Sequence, residues 1–260
     1  MGKCGGEAVK HFLIRVATPI VLIVLWQLFA DAFGSPRMPR PSAVVASAMK
    51  LIGSGELVTA LVTSLGRVFS GFMLASAIAI PLGILMGSVR TVERNLDPLV
   101  ESFRPVAAIA ILPLVILWLG TGSMAAIVIV AYAAFFPILI NTIAGVKRVD
   151  HNLLRAAYTM GVPPATRMWV VLLPAALPAI LVGMRIGLGM AWTAIIAAEL
   201  AVGAKAGGEG GIGQMMFIFY AYSVELNGIV VCMIAVGIVA LLLDRILRAA
   251  LHASVPWSRL

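Results

Sequence analysis

Long apolar runs separated by short polar, mostly basic interruptions dominate this chain. Runs near twenty residues recur at about Phe12–Phe33, Thr59–Val89, Pro105–Leu119, Met124–Val146, Pro174–Leu200 and Asn227–Leu247. A helix needs ~20 apolar residues to cross roughly 30 Å of hydrocarbon, so the pattern predicts six transmembrane helices. Pro81, Pro113 and Pro137 fall inside these runs and predict kinks. Gly120–Ser123 reads as the tight turn between the third and fourth spans. Pro36 to Gly53 is different. Three prolines stiffen a lead-in, Ser42 can cap a short helix, and Val44, Val45, Ala48, Met49 and Ile52 share one face. That period suits a helix lying in the membrane interface, or an ordinary amphipathic linker.

Composition agrees with the pattern. Of 260 residues, 62% are hydrophobic and 12% charged, and the mean hydropathy is +1.07. Such a chain is an all-α integral membrane protein. The net charge of +8 does not point to nucleic acid, because no basic stripe is interleaved with aromatics. Instead the charges sort by side. Lys3, Lys10, Arg15, Arg90, Arg94, Arg104, Lys147, Arg148, Arg155, Arg167, Arg245, Arg248 and Arg259 share one side of a six-span layout. Arg37, Arg40, Lys50 and Lys205 occupy the other. The positive-inside rule then makes both termini cytoplasmic. The N-terminal run also resembles a signal peptide, with Ala30-Asp31-Ala32 as a small-x-small site, but its length and the topology favour a retained first span. The organisation expected is a first helix plus external interfacial helix (1–58), a five-helix core (59–250) and a cytoplasmic tail (251–260).

One polar interruption has the marks of a built element. In Asp150–Pro174, Asp150 is placed to accept hydrogen bonds at a helix N-terminus, Leu153 to Met160 are mostly helix formers, and Gly161 supplies a left-handed stop before Pro163 and Pro164. The spacing predicts a short, capped cytoplasmic helix, in which Ala156 and Ala157 let another protein approach the backbone.

Enzyme constellations are missing. His11, His151 and His252 are scattered, Cys4 and Cys232 form no metal-like cluster, and neither HExxH nor GxSxG occurs. Gly208, Gly210 and Gly213 match GxGxxG but follow an apolar run instead of a strand, so Gly203–Gly213 reads as a flexible external hinge or gate. No P-loop is present. Arg67 and Arg185 lie well inside predicted spans, where an arginine must face protein or water. Arg67 shares a polar stripe with Thr59, Thr63 and Ser70. Two readings follow: Arg67, Ser70, Arg185 and Glu199 line a pathway for a small anion, or the arginines pair structurally with Glu199 or with backbone carbonyls. Glu101 and Arg104 read as a helix-end pair, and Trp26, Trp118 and Trp192 as anchors or packing.

The 150–174 segment resembles the EAA---G---------I-LP signature of bacterial ABC importer permeases. Ala156, Ala157 and Gly161 match, and Val171, Leu173 and Pro174 fall at the I-LP positions; Arg155 stands where the signature has Glu. Leu96–Val106, Leu112–Gly120, Gly183–Trp192, Ala197–Leu200 and the Pro-rich Pro36–Val45 look like the nitrate/sulfonate/taurine branch. The resemblance implies a six-span type I importer (MetI-like) permease fold in the bacterial inner membrane. It implies a second copy of the chain, two ATPases that bind ATP and Mg2+, and a soluble or lipid-anchored binding protein, with no cofactor in this chain. Asn152, Arg155, Ala156, Ala157, Met160 and Gly161 would meet the ATPase, whose closure rocks the core around a midplane pathway. The alternative is an ion-coupled secondary transporter or channel without an ATPase, which would want more midplane acids than Glu199 alone.

Overall fold

The computed structural model describes residues 4–33, 38–202 and 210–254, and every element among them is helical. In chain order these are α1 (Cys4–Phe33), α2 (Pro41–Gly53), α3 (Glu56–Ser88), α4 (Arg90–Phe103), α5 (Ala108–Leu119), α6 (Ser123–Lys147) and α7 (His151–Thr159). There follow α8 (Pro164–Arg167), α9 (Leu173–Val202), α10 (Ile212–Ile218) and α11 (Leu226–Ser254). Two π-helical turns, Met168–Leu172 and Phe219–Ser223, join α8 to α9 and extend α10.

The core is a three-helix seam of α3, α6 and α9. Val68, Phe72, Ala75, Ala79 and Met86 from α3 meet Ala126, Val130, Ala134, Ile138 and Leu139 from α6, and Ala191, Trp192 and Ile195 from α9. Small residues set the spacing. A Cβ on Gly183 would lie 2.6 Å from Asn141 Cβ and 3.0 Å from the Pro137 carbonyl, so only glycine allows this approach of α9 to α6. α2, α10 and α11 form a second cluster around Val44, Leu51, Ile212, Phe219, Val231 and Cys232. The indole of Trp192, buried in the seam, donates to the Val236 carbonyl at 3.2 Å and ties α11 to α9.

Among the described residues four stretches are long and apolar enough to cross a membrane: Glu56–Ser88, Ser123–Lys147, Pro164–Val202 and Leu226–Ala249. They match the second, fourth, fifth and sixth expected runs. The third differs. α5 has only 12 residues, about 18 Å at the helical rise, too little to cross by itself. It makes a span only together with α4, from which it is bent by 93°. Pro105, lacking an N–H, stops α4, and Ala107 is extended (φ −65°, ψ 137°). The sharp break therefore sits here, whereas α3, α5 and α6 continue through Pro81, Pro113 and Pro137. Arg104, read as cytoplasmic, lies at this break.

The expected interfacial helix also forms differently. Pro41 opens it at N1, in place of a Ser42 cap. Its apolar face divides: Val44 and Leu51 are buried, while Val45, Met49 and Ile52 point outward. α1 leaves Ile20 to Leu25, Leu28 and Phe29 exposed, a surface for lipid or protein.

Gly183→Leu should overpack the seam and lower stability by roughly 1–3 kcal/mol. Gly189→Ala, with nothing within 4 Å of its Cβ position, should be neutral or stabilising. Melting temperatures of the two detergent-purified variants check this; equal values would contradict the close-packing account.

Candidate functional site

Two places concentrate polar chemistry: a buried acid near the α9–α10 junction and the short helix between α6 and α8. Glu199 is only 2% exposed. Burying a carboxylate demands a full set of partners, and it has them. Arg67 Nη1 donates to Oε1 at 2.8 Å, the Ser64 hydroxyl lies 3.0 and 2.8 Å from the two oxygens, and the Gly213 N–H donates to Oε2 at 3.0 Å. Ser64 Oγ also accepts from the Ile212 N–H at 2.9 Å, and Arg67 Nε donates to Ser123 Oγ at 3.2 Å. One carboxylate thus gathers α3, α9 and the start of α10, and Arg67 adds the start of α6.

The glycines beside it have a packing reason. A Cβ on Gly211 would lie 1.9 Å from Glu199 Oε1, and one on Gly213 would lie 2.7 Å from the Ile196 carbonyl. Within Gly203–Gly213, Gly211 and Gly213 thus serve close approach; residues 203–209, the rest of the expected hinge or gate, lie outside the described residues.

Arg185 is engaged elsewhere. Its Nε and Nη2 donate to the two oxygens of Asp244 on α11 at 2.6 and 3.1 Å, a bidentate pair, and Arg248 Nη2 adds a 3.1 Å bond. Glu199 is therefore not the sole acid available to the arginines of the predicted spans. Asp244 precedes Arg245 and sits four before Arg248, a grouping that resembles helix-end charge. The predicted stripe of Thr59, Thr63, Arg67 and Ser70 is shifted as well: Ser70 and Thr59 are exposed, and Ser64 is the buried hydroxyl. Its position three residues before Arg67 was the available signal. Arg67 and Glu199 come together; Arg185 and Ser70 do not join them. Glu101 and Arg104 form no ion pair.

The second place is α7. Asp150 Oδ1 accepts from the Asn152 N–H at 2.8 Å, and the helix closes at Gly161 (φ +72°), where the Val162 N–H reaches back to the Ala157 carbonyl at 3.1 Å. Leu154 packs against the base cluster of Val146, Val149, Leu172, Ala176 and Ile180. Asn152, Leu153, Arg155, Ala156, Tyr158 and Met160 face outward. Ala157 does not: it is 1% exposed, because its position three after Leu154 turns it onto the same inward face. Only Ala156 of the pair is open to a partner. The Arg167 guanidinium stacks over the Tyr158 ring at 5.4 Å and braces α7 against α8.

Residues 79–256 match the family of binding-protein-dependent transport system inner membrane components. The chain belongs to this family. As an ABC importer permease it is a transport subunit that works with separate ATPase subunits, which hydrolyse the ATP. The ion-coupled alternative is thereby set aside. The permease is 36% identical over 259 residues to the taurine transport system permease protein TauC of Escherichia coli, covering 95% of this chain and 90% of that one. It is 35% identical over 255 residues to the nitrate import permease protein NrtB of Synechocystis, covering 94% and 90%. Among solved structures, inward facing conformations of the MetNI methionine ABC transporter align with a TM-score of 0.66 at 22% identity, over 76% of this chain and 95% of that one. The fold is the MetI-like permease fold.

Glu199→Ala leaves the Arg67 charge without its carboxylate and should cost about 3–5 kcal/mol, read as a large drop in melting temperature or in folded yield. Replacing both members, as in R67M/E199L, should cost less than the two single losses added together. Strict additivity would mean that the pair is not coupled.

Proposed function

We propose that this permease imports a small anion into the cytoplasm, driven by partner ATPases that push on α7. The observation that carries the coupling is α7 itself: a nine-residue helix capped at both ends, seated on Leu154 and Ala157, and turning Asn152, Arg155, Ala156 and Met160 outward beside Gly161. A rigid, exposed element placed where α6 ends and α9 begins suits force transmission, since any displacement of it is shared by two helices of the seam. Arg155, where the family signature has an acid, turns a cation toward the partner groove. Transport of a solute bearing an oxyanion group is supported by the solutes for which TauC and NrtB are named, taurine (a zwitterion with a sulfonate) and nitrate; similar identity to both does not choose between them.

In this reading the chain spans the bacterial inner membrane six times, with α1 and the α4–α5 pair as the first and third spans and both termini cytoplasmic. A second copy completes the pathway, two ATPases hold ATP and Mg2+, and a binding protein delivers the anion from outside. The chain itself carries no cofactor.

Gly161→Glu places a charged side chain at φ +72°, a backbone state that residues with a Cβ rarely adopt. In the complex reconstituted with its ATPases and binding protein, this variant should assemble normally. Stimulation of ATP hydrolysis by the loaded binding protein should fall at least ~10-fold. Wild-type stimulation in an assembled G161E complex would refute the coupling role.

A further inference from the structure

The break between α4 and α5 lies at about mid-depth. Two fixed points on α6 give its position. Lys147, at the end of α6, is ion-paired with Glu93 near the start of α4. Tyr132 donates its hydroxyl to the Phe103 carbonyl at 2.8 Å and lies 3.3 Å from the Val106 carbonyl. Tyr132 is about 14 Å from the Ser123 end of α6 and about 22 Å from the Lys147 end at 1.5 Å per residue, so the break sits near the middle of a ~30 Å core. α4, carrying Arg90, Glu93, Arg94, Asp97 and Glu101, climbs to that level and must present its charges to water or protein.

A cavity of about 450 Å3 opens at the break, with Arg104, Tyr132, Phe136, Asn141, Ile186 and Met190 in its wall. Arg104 is exposed. Among the described residues no carboxylate pairs with it, and Glu101, three positions earlier, is not bonded to it. The two other intramembrane arginines are committed, Arg67 to Glu199 and Arg185 to Asp244. Arg104 is thus the cation left facing an open cavity at this depth, in a wall whose other side chains are mainly apolar.

We propose that this cavity is an anion-binding station on the translocation path, in which the Arg104 guanidinium grips a small oxyanion through paired N–H···O bonds. Its planar fork matches the oxygens of a sulfonate, nitrate or bicarbonate group. Phe136, Ile186 and Met190 take any apolar remainder of the solute. Tyr132 is a positioning residue: its proton is spent on the backbone at the break and holds Arg104 at this height. The proposal rests on the anion-importer reading.

The full chain, assembled with its ATPases and binding protein in lipid vesicles, is assayed for uptake of radiolabelled taurine, nitrate and bicarbonate. The wild type identifies the anion carried. R104Q should lower uptake of that anion at least ~10-fold while ATPase stimulation by the loaded binding protein stays within ~3-fold, and R104K should recover a substantial part. Uptake by assembled R104Q within ~2-fold of wild type overturns the station and leaves the importer reading intact. A wild-type complex importing none of these three oxyanion-bearing solutes removes both. If R104Q does not assemble, R104C in a C4S chain, whose remaining Cys232 is buried, is treated with aminoethyl or methyl methanethiosulfonate. Uptake restored only by the cationic adduct supports the station; equal uptake with both adducts overturns it.

Discussion

A carboxylate buried among helices cannot be left half satisfied, and the arrangement of the α3, α9 and α10 ends of this permease follows from that demand on Glu199. Its oxygens draw in a guanidinium and a hydroxyl from α3 and a backbone N–H from α10. The hydroxyl of Ser64 in turn accepts the Ile212 N–H. Each partner would be costly to leave unpaired, so the node specifies one register of three helices more sharply than apolar packing does. Gly211 and Gly213 follow from the same demand, because a side chain at either would occupy the space of the carboxylate or the backbone beside it.

Below the node the seam has a different logic. α3, α6 and α9 meet where glycines and alanines on one helix receive larger side chains and backbone of another, and in lipid, where hydrophobic burial gives little drive between helices, close backbone approach supplies the attraction. Shape at the seam and charge above it divide the work. The arginines that look equivalent in sequence end in different roles: Arg67 in the node, Arg185 as a bolt from α9 to α11.

Much of this was legible beforehand. Apolar runs of sufficient length located α3, α6, α9 and α11, because in hydrocarbon the backbone has no alternative to the helix. Asp150, Gly161 and the following prolines marked α7, because capping chemistry is local and tied to residue type. What escaped depends on three-dimensional neighbours. Asp244 stands beside Arg245 and four before Arg248, and only the packing of α11 on α9 makes it the partner of Arg185. Ser64, a lone hydroxyl in an apolar run, is defined by Glu199, 135 positions away. The break at Pro105 was hidden because the apolar stretch after it reads as a span, and length alone does not reveal that α5 is a short helix bent by 93° from the charged α4. Ala157 matched a signature, yet its side chain is committed inward.

Pro164–Val202 is one helical stretch of 39 residues, about 58 Å long. Its foot adjoins α7 and its upper end carries Glu199. A single wider turn, Met168–Leu172, interrupts it just above the foot, where a helix can absorb a change of register without losing its continuity. Above that turn α9 continues through Pro178 and the glycine-lined crossing at Gly183 and Gly187 to the buried acid. The segment that adjoins α7 and the acid that ties α3 and α10 to α9 are therefore opposite ends of one beam.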